Sequence, residues 1–139
     1  MRLTVDVVKE GEFRCDWQFT PDKCGLNADL PNTRSFRYEV RVRAKHLDAQ
    51  GFGMDNREIA RYFAEHFRDE TKVFVSCERM ALDAAKHFHN RLEDGGQGCE
   101  YANVKIWGFP GAFVDVTVLG ESAEFVADSA TGSFRPATR

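Results

Sequence analysis

The stretch SFRYEVRVRAKH, residues 35 to 46, alternates without a break. Phe36, Tyr38, Val40, Val42 and Ala44 fall on one side of an extended strand and Arg37, Glu39, Arg41, Arg43 and Lys45 on the other. The first side is a core face, and the second carries charges that must stay hydrated or paired. Nearer the N-terminus, RLTVDVV and EFRCDWQF alternate with the same period around the turn-like KEG, which predicts a hairpin with Phe13, Cys15, Trp17 and Phe19 opposite Glu12, Arg14, Asp16 and Gln18. Between hairpin and strand, TPDKCGLNADLPNTR is dense in proline, asparagine and aspartate and predicts an irregular loop of the kind that often carries a site.

The period then changes from 2 to 3.6. Asp55 followed by Glu58 reads as an N-cap with a capping-box partner, and Ile59, Phe63, His66 and Phe67 repeat along the apolar face of the helix it opens. Ser76 caps a second helix, CERMALDAAKHFHNRL, whose stripe of Cys77, Ala81, Ala84, Phe88 and Leu92 is rich in small residues and suited to close packing. The glycines of EDGGQGCE end it, and YANVKIW and AFVDVTVL, joined by GFPG, predict a second hairpin. Beyond Gly120 the chain is small, polar and aperiodic, so one domain over 1–120 with a poorly ordered tail over 121–139 is expected. Strands, two successive helices, then strands describe an α+β layer, an antiparallel sheet with both helices on one face. The other face collects Asp6, Arg14, Asp16, Arg37, Glu39, Arg41, Arg43, Lys45 and Lys105, a mixed-sign set that fits a solvated channel or subunit cavity.

Charge narrows the partners. With 19 basic against 22 acidic residues the formal charge is -3, so no global basic field favours nucleic acid, and no aromatic residues are expected to interleave with the basic row on its face. No apolar run reaches the length of a membrane span or forms a secretory leader, and the irregularly spaced Cys15, Cys24, Cys77 and Cys99 read as free thiols. A cytoplasmic protein is the expectation. Among candidate groups, Cys24 lies in a loop beside Lys23 and is the best reactive thiol, while Cys77 reads as a packing cysteine. Glu78 is either a ligand anchor or a first-turn helix stabiliser. His87 and His89 point in nearly opposite directions on a helix, which disfavours a shared metal, and His46 and His66 read as structural. The basic row has three readings: a solvated face, an anion site, or a channel paired across subunits with Asp16, Glu39 and Asp115.

With this element order, GFGMDNREI, FVSCERMALDAAKHFHNRL and YANVKIWGFPGAFVDV together resemble the 6-pyruvoyl- and 6-carboxy-tetrahydropterin synthase family over roughly residues 12 to 119. Asp55 stands where the family has the aspartate of its first helix, and Ser76, Glu78 and Arg79 partly match the segment that opens the second. The resemblance implies a tunnelling fold, in which the sheets of several subunits join into an oligomeric barrel with helices outside and a polar bore inside. It also exposes departures. The family holds zinc with three histidines on the first two strands, where this chain has no histidine and reads Arg34-Ser35-Phe36-Arg37-Tyr38. The ring-anchoring glutamate of the third strand is replaced by Gly108, the catalytic histidine finds no match in RDETKVFV, and the family cysteine is matched by Cys24.

The resulting expectation is a diverged, homo-oligomeric tunnelling-fold protein with no metal and no cofactor. It would bind a pterin- or purine-like small molecule at a subunit boundary through Glu78, Asp55 and Arg37, with Cys24 as the catalytic candidate and no nucleic-acid or membrane partner. If active, it would be a lyase-type synthase acting on a pterin-like substrate. The alternative is a non-catalytic scaffold of the same fold.

Overall fold

In the computed structural model, residues 3–18, 32–67, 71–73, 76–109, 111–120, 125–127 and 134–136 are described. Strands β1 (Asp6–Gln18) and β2 (Asn32–Ala44) are followed by helix α1 (Asn56–His66), the short β3 (Thr71–Val73) and helix α2 (Cys77–Asp94). Then come β4 (Cys99–Phe109), β5 (Ala112–Leu119), β6 (Phe125–Ala127) and β7 (Phe134–Pro136). The main sheet has the order β3-β1-β2-β4-β5, antiparallel throughout its four long strands, with β3 added parallel to β1.

Two expectations change. The predicted N-terminal hairpin is instead one unbroken strand, β1, paired along its length with β2. KEG does not turn because Gly11 is needed inside the strand: a Cβ there would stand 2.5 Å from the Tyr38 hydroxyl oxygen, so the missing side chain makes room for that ring. The tail contains a ladder between β6 and β7, whose Phe125, Val126 and Phe134 are strand formers. The rest of 121–139 lies outside the described residues.

The helices cover one face, α1 over β1 and α2 over β4 and β5. Asp55 caps α1 by accepting from the Arg57 backbone N–H, and Ser76 caps α2 by accepting from that of Arg79 at 3.1 Å. Glu58 does not complete the capping box; its carboxylate accepts from Arg91 at 3.1 Å and ties the start of α1 to the last turns of α2. Ile59, Phe63 and Phe67 are buried, whereas His66 is exposed and stacks on Tyr62 at 4.7 Å, so the apolar stripe is narrower than its spacing suggests. Phe13, Phe36, Tyr38, Val40, Val42, Ala102, Val104 and Ile106 of the sheet share one core with Ile59 and Phe63 of α1, Phe67 after it, and Met80, Ala81, Ala84, Phe88 and Leu92 of α2. Rings dominate this layer. Phe13 stacks on Phe36 and Phe67, and Tyr38 lies 3.8 Å from Phe63 between centroids. No helix among the described residues is long and apolar enough to cross a membrane.

Candidate functional site

The helix-free face of the sheet is built by the residues that alternate away from the core. Register aligns them into rows that run across the strands. At one end Asp6 lies opposite Arg43, and Arg43 opposite Tyr101. In the middle Glu10 faces Glu39, Glu39 faces Lys105, and Lys105 faces Asp115. At the other end Glu12 faces Arg37 and Arg37 faces Trp107, with the Phe113 ring 4.9 Å beyond.

The first row is a closed charge cluster. Arg43 donates to both Asp6 carboxylate oxygens, at 2.6 and 3.2 Å, the Tyr101 hydroxyl donates to the same group at 2.8 Å, and Arg41 approaches it at 3.5 Å. The Arg43 hydrogen bond holds the Asp6 carboxyl below its ordinary value against the opposing effect of burial. Burial and the hydrogen bond to Asp6 push the Tyr101 phenol up. In the middle row Lys105 lies 3.4 Å from Glu39, which offsets the like-charge pairing of Glu39 with Glu10, and Asn103 donates to Asp115. The basic row therefore finds Asp6 and Glu39 as partners within the same chain. Asp16 belongs to β1, but its side chain lies outside the described set.

The last row is different. The Arg37 guanidinium stands 4.2 Å from the centre of the Trp107 ring, and among the described residues no carboxylate pairs with it. Aromatic residues are thus interleaved with the cations, Tyr101 beside Arg43 and Trp107 beside Arg37, contrary to the sequence reading. The alternation that sends Phe36 inward and Arg37 outward also holds for β4, so the signal was present in YANVKIW; the pairing register was not. Among the described residues this face mixes both signs, Asp6, Glu10, Glu12, Glu39 and Asp115 with Arg14, Arg37, Arg41, Arg43 and Lys105. A mixed-sign face gives no strong positive field for a polyanion.

Of the four predicted site residues, the three that are described stand apart from one another within one chain. Cys24 lies outside the described residues. Arg37 is on the open face. Glu78 is exposed in the first turn of α2, on the helix layer, where its charge suits the helix N-terminus. Asp55 is engaged by Arg57 at 2.7 Å, and that contact lowers its carboxyl to about 2. Since Arg91 reaches Glu58 just past Asp55, Asp55 sits near the far end of α2, and roughly 20 Å of helix separates Glu78 from Arg91.

Neither the ring anchor nor the metal set implied by the resemblance has room or ligands here. Gly108 faces the helices, and a Cβ there would stand 2.8 Å from Cys77 Sγ and 3.3 Å from the Phe36 ring, so the first turn of α2 fills the space a side chain would need. The position matched by resemblance to a ring-anchoring carboxylate is closed by packing. The four histidines of the chain are His46 after β2, His66 on α1, and His87 and His89 on α2, so three imidazoles on the first two strands cannot form and the chain does not fit the zinc site that the fold family implies. Among the described residues no cluster of three or more His, Cys, Asp or Glu side chains could hold a metal.

The fold is known in solved structures. The chain is similar to 6-pyruvoyltetrahydropterin synthase from Plasmodium vivax, at 11% identity and TM-score 0.57, over 85% of this chain and 99% of that one. It is similar to the synthase of Plasmodium falciparum at 10% identity and TM-score 0.56, over 84% and 98% of the two chains. A catalytic-residue mutant of the vivax protein, with alanine in place of a glutamate, matches at 11% identity and TM-score 0.57, over 85% and 99%. At such identities the likeness is one of fold, and it bears out the expected antiparallel sheet carrying two helices. No protein-family model matches the chain, and no curated protein matches it by sequence.

Proposed function

We propose that several copies of this chain close edge to edge into a ring around the open sheet face, and that the ring binds a planar pterin- or purine-like molecule on that face near a subunit boundary, without zinc-dependent lyase chemistry. The observation that carries the reading is an uncovered polar sheet face lying between two strand edges unpaired among the described residues. β1 over Asp6–Cys15 pairs only with β2, and β5 pairs only with β4. Val8 near one edge and Phe113 and Leu119 on the other are 42%, 52% and 45% exposed, which leaves apolar surface at the seams of a lone subunit. Edge pairing would satisfy the ladder groups and cover those side chains together.

Native mass measurement tests assembly first: a closed ring gives a single multiple of the 15.8 kDa chain, and a monomer at micromolar concentration refutes the proposal. Thermal unfolding with pterin and guanosine tests the ligand, because a molecule bound only by the folded state raises Tm. Elemental analysis showing stoichiometric zinc would overturn the metal-free reading.

The second reading is a scaffold whose pocket is vestigial. The neutralisation of Arg43 by Asp6 and of Lys105 by Glu39 favours it, since those cations already have partners. Assembly without any shift in Tm from either compound would select it.

A further inference from the structure

We propose that the cavity between the 48–53 loop, the start of α1 and the end of α2 binds a small organic cation, a protonated primary amine on a short chain, through Asp48 and Gln97. The cavity holds about 210 Å³, and its wall includes Asp48, Phe52, Asp55, Glu58, Arg91 and Gln97. No residue of the open sheet face lines it, so this site is separate from the ring site proposed there.

One carbonyl organises the wall. Phe52 O accepts from the Asp48 backbone N–H at 2.8 Å and from Gln97 Nε2 at 3.0 Å, and Gln97 Nε2 donates to Gly53 O as well. Asp48 Oδ1 closes the loop by accepting from the backbone N–H groups of Gln50 and Phe52, both at 2.9 Å. Gln97 is only 8% exposed, and both N–H groups of its amide are spent on these carbonyls, which fixes its orientation. Its Oε1 accepts from no donor among the described residues. Since no enclosed side-chain nitrogen or oxygen among them lacks a partner, this unpaired oxygen is one that solvent reaches.

Charge selects a cation. On the same wall Asp55 is held by Arg57 at 2.7 Å and Glu58 by Arg91 at 3.1 Å, whereas Asp48 makes no ion pair among the described residues. One uncompensated negative charge thus stands beside an unfilled amide oxygen, both tied to the Phe52 carbonyl. An ammonium group, with three N–H donors and no acceptor, satisfies a carboxylate and an amide oxygen together. The Phe52 ring, 52% exposed, offers its face to the charge and its area to the chain. The volume equals that of roughly seven waters, which suits a short amine. A divalent metal fits less well, because it wants several carboxylates and among the described residues no three metal-ligating side chains gather.

Nitrogen-15 NMR titration of the full chain with propylammonium chloride, against equal sodium chloride, tests the proposal. Saturable shifts are expected at residues 48–57 and at the Gln97 side-chain amide. Asp48→Asn keeps an oxygen for the Gln50 and Phe52 N–H groups but removes the charge, and should weaken binding about tenfold to a hundredfold. Phe52→Ala, at an exposed ring, should weaken it about twofold to fivefold and keeps the proposal testable if the Asp48 variant loses its loop. Tetramethylammonium, which has the charge without N–H donors, and 1-propanol, which has the chain without the charge, should bind about tenfold or more weakly. The absence of saturable shifts with propylammonium, or equal affinity in wild type and both variants, overturns the proposal. So does tetramethylammonium binding as tightly as propylammonium, or calcium chloride moving the same resonances where propylammonium does not.

Discussion

The two faces of the sheet are built from the same four strands and follow opposite rules. On the helix side, side chains from both layers exclude water, and Val40, Ala102, Val104 and Ile106 are wholly buried. On the open side nearly every group is polar, and stability comes from pairing across strands, as in Asp6 with Arg43 and Tyr101. The dry face is held by area and shape, which act over many contacts at once. The wet face is held by a few charge-assisted bonds that solvent weakens. Substitutions on the dry face should therefore act on folding, and those on the wet face mainly on pH dependence, assembly and binding.

The largest effect expected is from Phe63→Ala, which removes a ring packed against Phe13, Tyr38 and Phe88 and should cost about 3–5 kcal/mol in denaturant unfolding. Gly108→Glu should come next. It drives a side chain into Cys77 and Phe36 for a loss of about 1–3 kcal/mol, and it should fail to create a ring anchor when titrated with pterin. A stable Gly108→Glu protein that binds more tightly would show that α2 does not close this position.

On the wet face, Asp6→Asn should lower stability by about 1–2 kcal/mol at neutral pH, since it weakens the bonds from Arg43 and Tyr101. Because the Asp6 carboxyl is lowered from 3.8 in the folded chain, the unfolded state binds the proton first. Its contribution is present above about 3.8 and disappears as pH falls through the folded value, so the variant should show a flatter acid limb in urea titrations. Asp55→Asn should flatten the same limb between about 4 and about 2, with a smaller change at neutral pH because asparagine still caps a helix. A smaller effect of opposite origin is expected on the outer helix surface. Burial, with His66 nearby, lowers His87 from its ordinary 6.5, so the unfolded chain protonates first and stability declines as pH drops below 6.5. Replacing His87 by glutamine should remove that decline, as followed by Tm between about pH 7 and about pH 5.

Much of the layer was legible in the chain. Both helix caps, both helix spans, the second hairpin and the polarity of β2 follow from local patterns, and the helix-free charged face follows from alternation. The first hairpin was misread although a signal existed. Leu3, Val5, Val7, Phe13, Cys15 and Trp17 keep one phase straight through Lys9 and Gly11, which continuation preserves. The candidate site was less legible. Nothing local announces that Gly108 must leave room for Cys77, that Trp107 comes to lie beside Arg37, or that Asp55 and Glu78 stand near opposite ends of α2.

What the residues determined alone was which side each would face, because side-chain direction depends only on the backbone period of the segment that carries it. Which charges were neutralised and which were left without an ion pair among the described residues was decided by the tertiary structure. A slide of two residues between β1 and β2 would preserve every inward and outward assignment and yet give Arg43 and Arg37 different partners. Register is a property of the whole sheet and its covering helices, and the site is a property of register.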